Sequence, residues 1–227
     1  MRLIAILAAC LAVGACTTTD VHQALETPKP APNARMLALQ PDVELTELQA
    51  VGLSPARADW SSAARDNLVN ALKAALDAKG VKYTALDPST VTDGRNAQVL
   101  RLNNAVSASI LLYNTNIGSL PTHTGDFNWT LGDGAKGLGD AYSADYMLYI
   151  MARGSYSSPG RKFMFIAMAA AGVSIPLGGQ GVLVSMVDLK TGRVIWNNLA
   201  HASPDADMRT PEGARLLMAD VLKSAPF

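Results

Sequence analysis

Both cysteines of this 227-residue chain, Cys10 and Cys16, lie close to its amino terminus. Any domain built from the remainder must therefore fold without a disulfide and draw its stability from core packing. The composition permits this. Hydrophobic residues make up 49% of the chain, which argues against disorder, and the length suffices for one domain with a proper core. Charges balance, 19 basic against 19 acidic. No basic surplus exists to neutralise phosphates, so nucleic acid is not an expected partner.

The first residues form a unit of their own. Met1-Arg2 is a short basic start, and an apolar run from Leu3 to Val13 follows, interrupted only by Cys10. Small residues, Gly14 and Ala15, precede Cys16. This is the pattern of a secretory signal, and the run is shorter than the roughly 20 apolar residues that span a bilayer. Val13-Gly14-Ala15-Cys16 resembles the lipobox of bacterial lipoproteins. The resemblance implies that Cys16 is a lipidation site. Its thiol would receive a diacylglycerol, residues 1–15 would be removed as a signal peptide, and the new amine would be acylated. Several acyl chains, at about 0.8 kcal/mol per buried methylene, give stable membrane anchoring. Thr17 follows the cysteine, where Asp is the usual inner-membrane retention signal. The resemblance thus implies a chain held at the outer membrane and facing the periplasm. Leu7-Ala8-Ala9-Cys10 could mimic the same box, but the apolar run before it is very short. Loss of Arg2 with the signal leaves the mature chain one unit acidic, 18 basic against 19 acidic residues.

Beyond Cys16, the stretch to Ala34 is polar and holds Pro28, Pro30 and Pro32. Such spacing favours extended geometry and resists helix. Residues 16–34 read as a lipidated cysteine and flexible tether ahead of one domain, 35–227. Arg35 to Leu48 reads as extended, broken at Pro41. A helix is expected from Trp60 to Lys79, capped by Asp59 and ended by Gly80, since its apolar residues recur every three or four positions. Val81 to Leu86 reads as a short strand. A second helix is expected from about Arg95 to Tyr113, with Val99, Leu102, Val106 and Ile110 on one face.

A Gly-rich passage, Thr124 to Ser143, follows, its last third compatible with a short helix. Ala144 to Tyr156 is apolar on both faces, the mark of a central strand. Gly181–Leu189 and Val194–Leu199 should form a hairpin around Lys190-Thr191-Gly192-Arg193, with Gly192 at positive φ. A last helix is expected from Pro211 to Lys223, capped by Thr210, with Ala214, Leu217, Met218, Val221 and Leu222 as its buried stripe. The alternation of strands and helices gives the expected class: α/β, a single mixed-sheet domain with helices packed on the sheet.

Several stretches resemble a set of poorly characterised lipoproteins of Gram-negative bacteria. They include Ala58-Asp59-Trp60, Trp129-Thr130-Leu131-Gly132, Ala144-Asp145-Tyr146, Ser157-Ser158-Pro159-Gly160-Arg161, and Asp188-Leu189-Lys190-Thr191-Gly192 leading to Trp196-Asn197. That resemblance brings no activity with it. The hairpin carrying Asp-x-x-Thr-Gly is also similar to the periplasmic domain of curli-secretion-channel-type envelope lipoproteins. It consists mostly of turn chemistry, and fold analogy does not transfer function.

The remaining motifs point away from catalysis. Gly132-Asp133-Gly134-Ala135-Lys136-Gly137 satisfies a dinucleotide-binding spacing, but Asp126, Asn128 and Thr130 make a poor buried strand before it, so it reads as a loop. Lys190-Thr191-Gly192 matches one element of penicillin-binding enzymes, yet no Ser-x-x-Lys occurs in the chain. His123 and His201 have no ligand-spaced neighbours, and a zinc site wants three or four. No cofactor, metal or catalytic residue is expected.

Phe163 to Leu177 is the most ambiguous segment. It reads first as a buried crossover helix. The alternative is an apolar surface, with Phe163, Met164, Phe165, Ile166 and Met168, that docks on a membrane or on a second protomer. The expected function is a non-enzymatic binding or assembly module of the cell envelope, with an envelope protein or a second copy as partner. The alternatives are an oligomeric export component, or a periplasmic hydrolase joining His123 or His201 to a carboxylate.

Overall fold

The computed structural model describes residues 17–24, 30–115 and 127–227. Cys16, the signal segment, His123 and Asp126 lie outside the described residues. One mixed sheet of seven strands organises the chain. In chain order the strands are β1 (Thr18–Gln23), β2 (Arg35–Leu39), β3 (Asp42–Leu48), β4 (Lys82–Leu86), β5 (Tyr146–Ser157), β6 (Gly178–Asp188) and β7 (Val194–His201). The helices are α1 (Ala58–Ala78), α2 (Gly94–Asn114), α3 (Ala135–Tyr142), α4 (Pro159–Ala170) and α5 (Pro211–Val221). The sheet runs β1-β7-β6-β5-β2-β4, and β3 continues beside β5 beyond β2.

The mixture of parallel and antiparallel pairs follows from the connections. β5, β6 and β7 are joined in sequence and pair antiparallel. β2 and β4 are joined through β3 and α1, and β2 runs parallel to both β4 and β5. The extended Arg35–Leu48 segment is broken at Gln40-Pro41, where proline cannot donate to the ladder, and this splits it into two strands that share one side of β5.

Strand β5 shows why both of its faces are apolar. Leu148, Ile150 and Ala152 point to one side, where they meet Leu68, Leu72 and Leu76 of α1 and Leu217, Met218 and Val221 of α5. Met147, Tyr149 and Met151 point to the other, against Val99 and Ile110 of α2 and Leu138 of α3. The result is three layers, helix on sheet on helix, the expected α/β class.

The helix ends obey local chemistry, with one correction. Gly80, at φ 68°, donates to Asp77 O (3.0 Å) and Val81 donates to Leu76 O (3.0 Å), which closes α1 in a Schellman turn. Its start differs from expectation. Arg57 is the cap residue, no side chain caps the first turn, and Asp59 instead ion-pairs with Arg57 at 2.7 Å. Thr210 caps α5 as expected, its hydroxyl accepting from Gly213 N at 3.1 Å. In α2, Leu102 is 43% exposed while Asn103 and Ser107 are buried, so the covered face is rotated from the one that the apolar residues mark.

The amino-terminal stretch differs more. Thr18–Gln23 is not part of a tether but an edge strand, paired antiparallel with β7 from Thr18↔His201 to Gln23↔Trp196. Its side chains are mostly exposed, His22 stacking on Phe127 being the exception, so main-chain pairing chiefly defines it.

Candidate functional site

The described residues bring the apolar segment 163–177 to one end of the sheet and leave it uncovered. β5 and β6 pair from Tyr146↔Asp188 to Tyr156↔Gly178, and α4 with residues 171–177 joins them beyond the last pair. An antiparallel pair needs no crossover, so α4 has no sheet face to lie on. The expected buried crossover helix is therefore corrected: only Arg161 of α4 is buried. Phe163 is 74% exposed and Ile166 67%; Met164 is also exposed, while Phe165 and Met168 are half-buried.

Neighbouring segments extend the patch. β3 ends beside the end of β5, with Leu48 paired to Ser157, and the loop that follows presents exposed Val51 and Leu53. Val173 and Leu177, after α4, are exposed as well. Of ten exposed large hydrophobic side chains among the described residues, seven gather at this end. Large apolar groups in such a cluster mark contact surfaces, whereas scattered ones need no account.

The patch is exposed but firmly built. Ser158 caps α4, its hydroxyl accepting from Arg161 N at 3.1 Å, and Pro159 follows where its missing N–H costs nothing. Gly172 (φ 78°) donates to Ala169 O and Val173 to Met168 O, closing the helix in a second Schellman turn. The Arg161 guanidinium turns inward and holds the returning chain at Pro176 O. Ser157 Oγ donates to Leu177 O at 2.7 Å. Gly178 (φ 87°) completes the return, passing so near Ser155 that a Cβ would lie 2.2 Å from its carbonyl oxygen.

Beneath the patch is a polar support. The Tyr156 hydroxyl donates to Gln180 Oε1 at 2.6 Å and lies 3.0 Å from Asp207 Oδ1. Arg209 ion-pairs with Asp207 at 2.7 Å, and its guanidinium stacks 3.5 Å from the Tyr156 ring centre and 4.8 Å from that of Trp60. Arg57 stacks on the same Trp60 ring at 4.0 Å. Burial alone would raise Asp207, but hydrogen bonds from the Arg209 side chain and backbone hold it below the usual carboxylate value. Burial, with the Asp207 charge close by, pushes the Tyr156 hydroxyl well above its usual range. These groups fix the loop between β7 and α5 to the end of the sheet. Every one is engaged within the protein.

Of the other sequence candidates, His123 lies outside the described residues and the rest do not come together. His201 ends β7 with its ring exposed, and no carboxylate among the described residues lies within hydrogen-bond reach of it. Among the described residues no group of three or more potential ligands could hold a metal ion. The Gly132–Gly137 segment is a loop only as far as Gly134, its last three residues being the start of α3, and it packs on α2, where a Cβ on Gly134 would sit 3.2 Å from Arg95 Nε. It also meets the β6–β7 turn: Thr130 bridges Arg193, and Leu131 N donates to Gly192 O at 2.7 Å. Two of the motif segments, Trp129–Gly132 and Asp188–Gly192, thus serve one tight contact. Sequence reasoning missed the part played by Val51 and Leu53, which no periodicity connects with α4.

No family model and no curated protein matches the chain. Among solved structures, it is similar to the PelC dodecamer from Paraburkholderia phytofirmans, with a TM-score of 0.41 and 12% identity over 92% of this chain and 96% of that one. A variant of the same protein gives the same values. It is also similar to the C-terminal domain of LpoB from Salmonella enterica, with a TM-score of 0.29 and 14% identity over 79% and 87%. Likeness at this level says nothing of what this chain binds or how it assembles.

Proposed function

We propose that the chain is a lipid-anchored, non-enzymatic module of the bacterial envelope. Lipid on Cys16 holds it at the outer membrane facing the periplasm, and it acts by contact through the end of the sheet that carries α4. The lipobox resemblance supports the anchor. The clustering of seven exposed apolar side chains at one end supports action by contact. An anchor keeps such a module beside its partner by raising local concentration.

Fractionation of native envelopes tests the reading. The wild-type chain should sediment with the outer membrane, its first residue should be an acylated Cys16 by mass spectrometry, and Cys16→Ser should move it to the soluble fraction. A mature start at any other residue would overturn the anchor. Capture with a photo-crosslinker at residue 53 should yield a discrete adduct, whereas a crosslinker on Lys190, at the far end, should not. Equal labelling from both ends would remove the contact surface.

A further inference from the structure

Strand β1 decides where a lipid on Cys16 would sit. Its pairing runs Thr18↔His201, His201↔Gly181 and Gly181↔Arg153 across four neighbouring strands. β1 starts at the end of the sheet from which β6 also starts, and β6 starts where α4 returns. Thr17 continues the attachment: its hydroxyl lies 3.1 Å from Ser203 Oγ and accepts from Ser203 N at 3.2 Å. Residue 16 is one covalent step further, about 3.8 Å between Cα atoms. A lipid there has almost no slack. Three strand spacings, roughly 14 Å, separate the β1 and β5 lines across the sheet. The exposed apolar end and the attachment point therefore share one side of the molecule.

The character of α4 completes the argument. From Phe163 to Leu177 the only polar side chain is Ser174. Phe163, Ile166, Ala167 and Ala170, spaced three and four apart, are all exposed. A helix facing water would carry charge on that face. With twelve residues it is too short to cross a bilayer, and no described helix is long and apolar enough to do so. Residues 146–187 contain no Asp or Glu, and Lys162 is exposed at the start of the helix. Of the carboxylates on packed elements, Glu47 and Asp59 are paired with Arg57, Asp207 with Arg209, and Asp205 hydrogen-bonds Ser203. Apolar bulk with a flanking cation suits a helix lying in the headgroup layer.

We infer that α4, with Val51, Leu53, Val173 and Leu177 beside it, is buried in the interfacial layer of the membrane that holds the lipid. This rests on the reading of Cys16 as the lipidated residue. The lipid phase, and not a second copy, is the occupant because the anchor holds this end against it.

The test uses the full lipidated protein in phosphatidylethanolamine–phosphatidylglycerol vesicles. Ile166→Cys provides a thiol for an environment-sensitive fluorophore, and Lys190→Cys provides the far-end control. At 166 the emission should shift to the blue, a lipid-borne quencher should reach the dye, and iodide quenching should fall several-fold relative to 190. Phe163→Glu, an exposed site, should leave circular dichroism and flotation unchanged while restoring iodide access to a dye at Val173→Cys. A dye at 166 that stays open to iodide on floated vesicles overturns the inference and leaves the anchor standing. A dye shielded from both quenchers, with a crosslinked dimer, assigns the face to a second copy and also overturns it. Failure of the wild-type protein to float removes the anchor reading and the inference together.

Discussion

The Arg161 guanidinium donates two hydrogen bonds to one backbone oxygen, Pro176 O, at 3.1 Å from Nε and 3.0 Å from Nη2. Arg161 is 8% exposed, so a side chain that usually faces water has turned inward to close the excursion between β5 and β6. Arg161→Ala should cost about 2 kcal/mol, the worth of charge-assisted hydrogen bonds lost from a largely buried site. Arg161→Lys should recover only part, because an ammonium lacks the planar fork. Urea unfolding measures the loss, and limited proteolysis should show faster cleavage within residues 159–177. Unchanged proteolysis would mean that α4 holds its place without this clamp.

Adjacent glycines offer a sharper contrast. Gly178 has φ 87° and no room for a Cβ, whereas at Gly179 a Cβ would meet nothing within 4 Å. Gly178→Ala should destabilise by about 2 kcal/mol or more, from backbone strain plus the clash with Ser155. Gly179→Ala should change the unfolding midpoint little. Equal effects at both positions would contradict the tight return drawn here.

Acid should loosen the support under the apolar end. The Asp207 carboxyl is held below its usual 3.8 in the folded chain. The unfolded chain therefore takes up the proton first, and the stabilisation present above that value is lost as pH falls through the folded one. Wild-type stability should drop more steeply than that of Asp207→Asn between about pH 5 and pH 3. Parallel curves for the two proteins would show that the Asp207–Arg209–Tyr156 group contributes nothing that depends on this charge.

Removal of β1 separates a strand from a tether. A chain starting at residue 30 should melt at least about 5 °C below one starting at residue 17, because β7 loses one of its two ladder partners. It should also self-associate more readily through the bared edge, visible by light scattering. If residues 17–29 were only a leash, the two midpoints would coincide.

What could be read from the residues alone was whatever side-chain chemistry enforces locally. Thr210-Pro211 announces α5, Gly192 announces the hairpin turn, and unbroken apolar character announces β5 as central. What could not be read depends on partners distant in sequence. β1 is Thr-Thr-Asp-Val-His-Gln, with no apolar alternation, because it is held through its backbone by β7, some 180 residues away. The composition of α4 is that of a buried helix. The antiparallel pairing of β5 with β6 places it beyond the sheet, where no described residue covers it. The covered face of α2 includes Asn103 and Ser107, polar residues that no apolar periodicity would select. The candidate surface was thus visible as a segment, while its exposure and its companions Val51 and Leu53 emerged only from the topology.

Thr17 is tied by its hydroxyl to Ser203, not merely threaded past it. A domain on a leash tumbles and sweeps out a hemisphere. A body gripped at its rim keeps one posture, its strands rising from the bilayer. β5 has twelve residues and so rises roughly 40 Å, which under the proposed anchor would lift the Gly192 turn to a set height above the bilayer. Anything that meets the protein there would meet it at one altitude and one bearing, as it would a fixture and not a float.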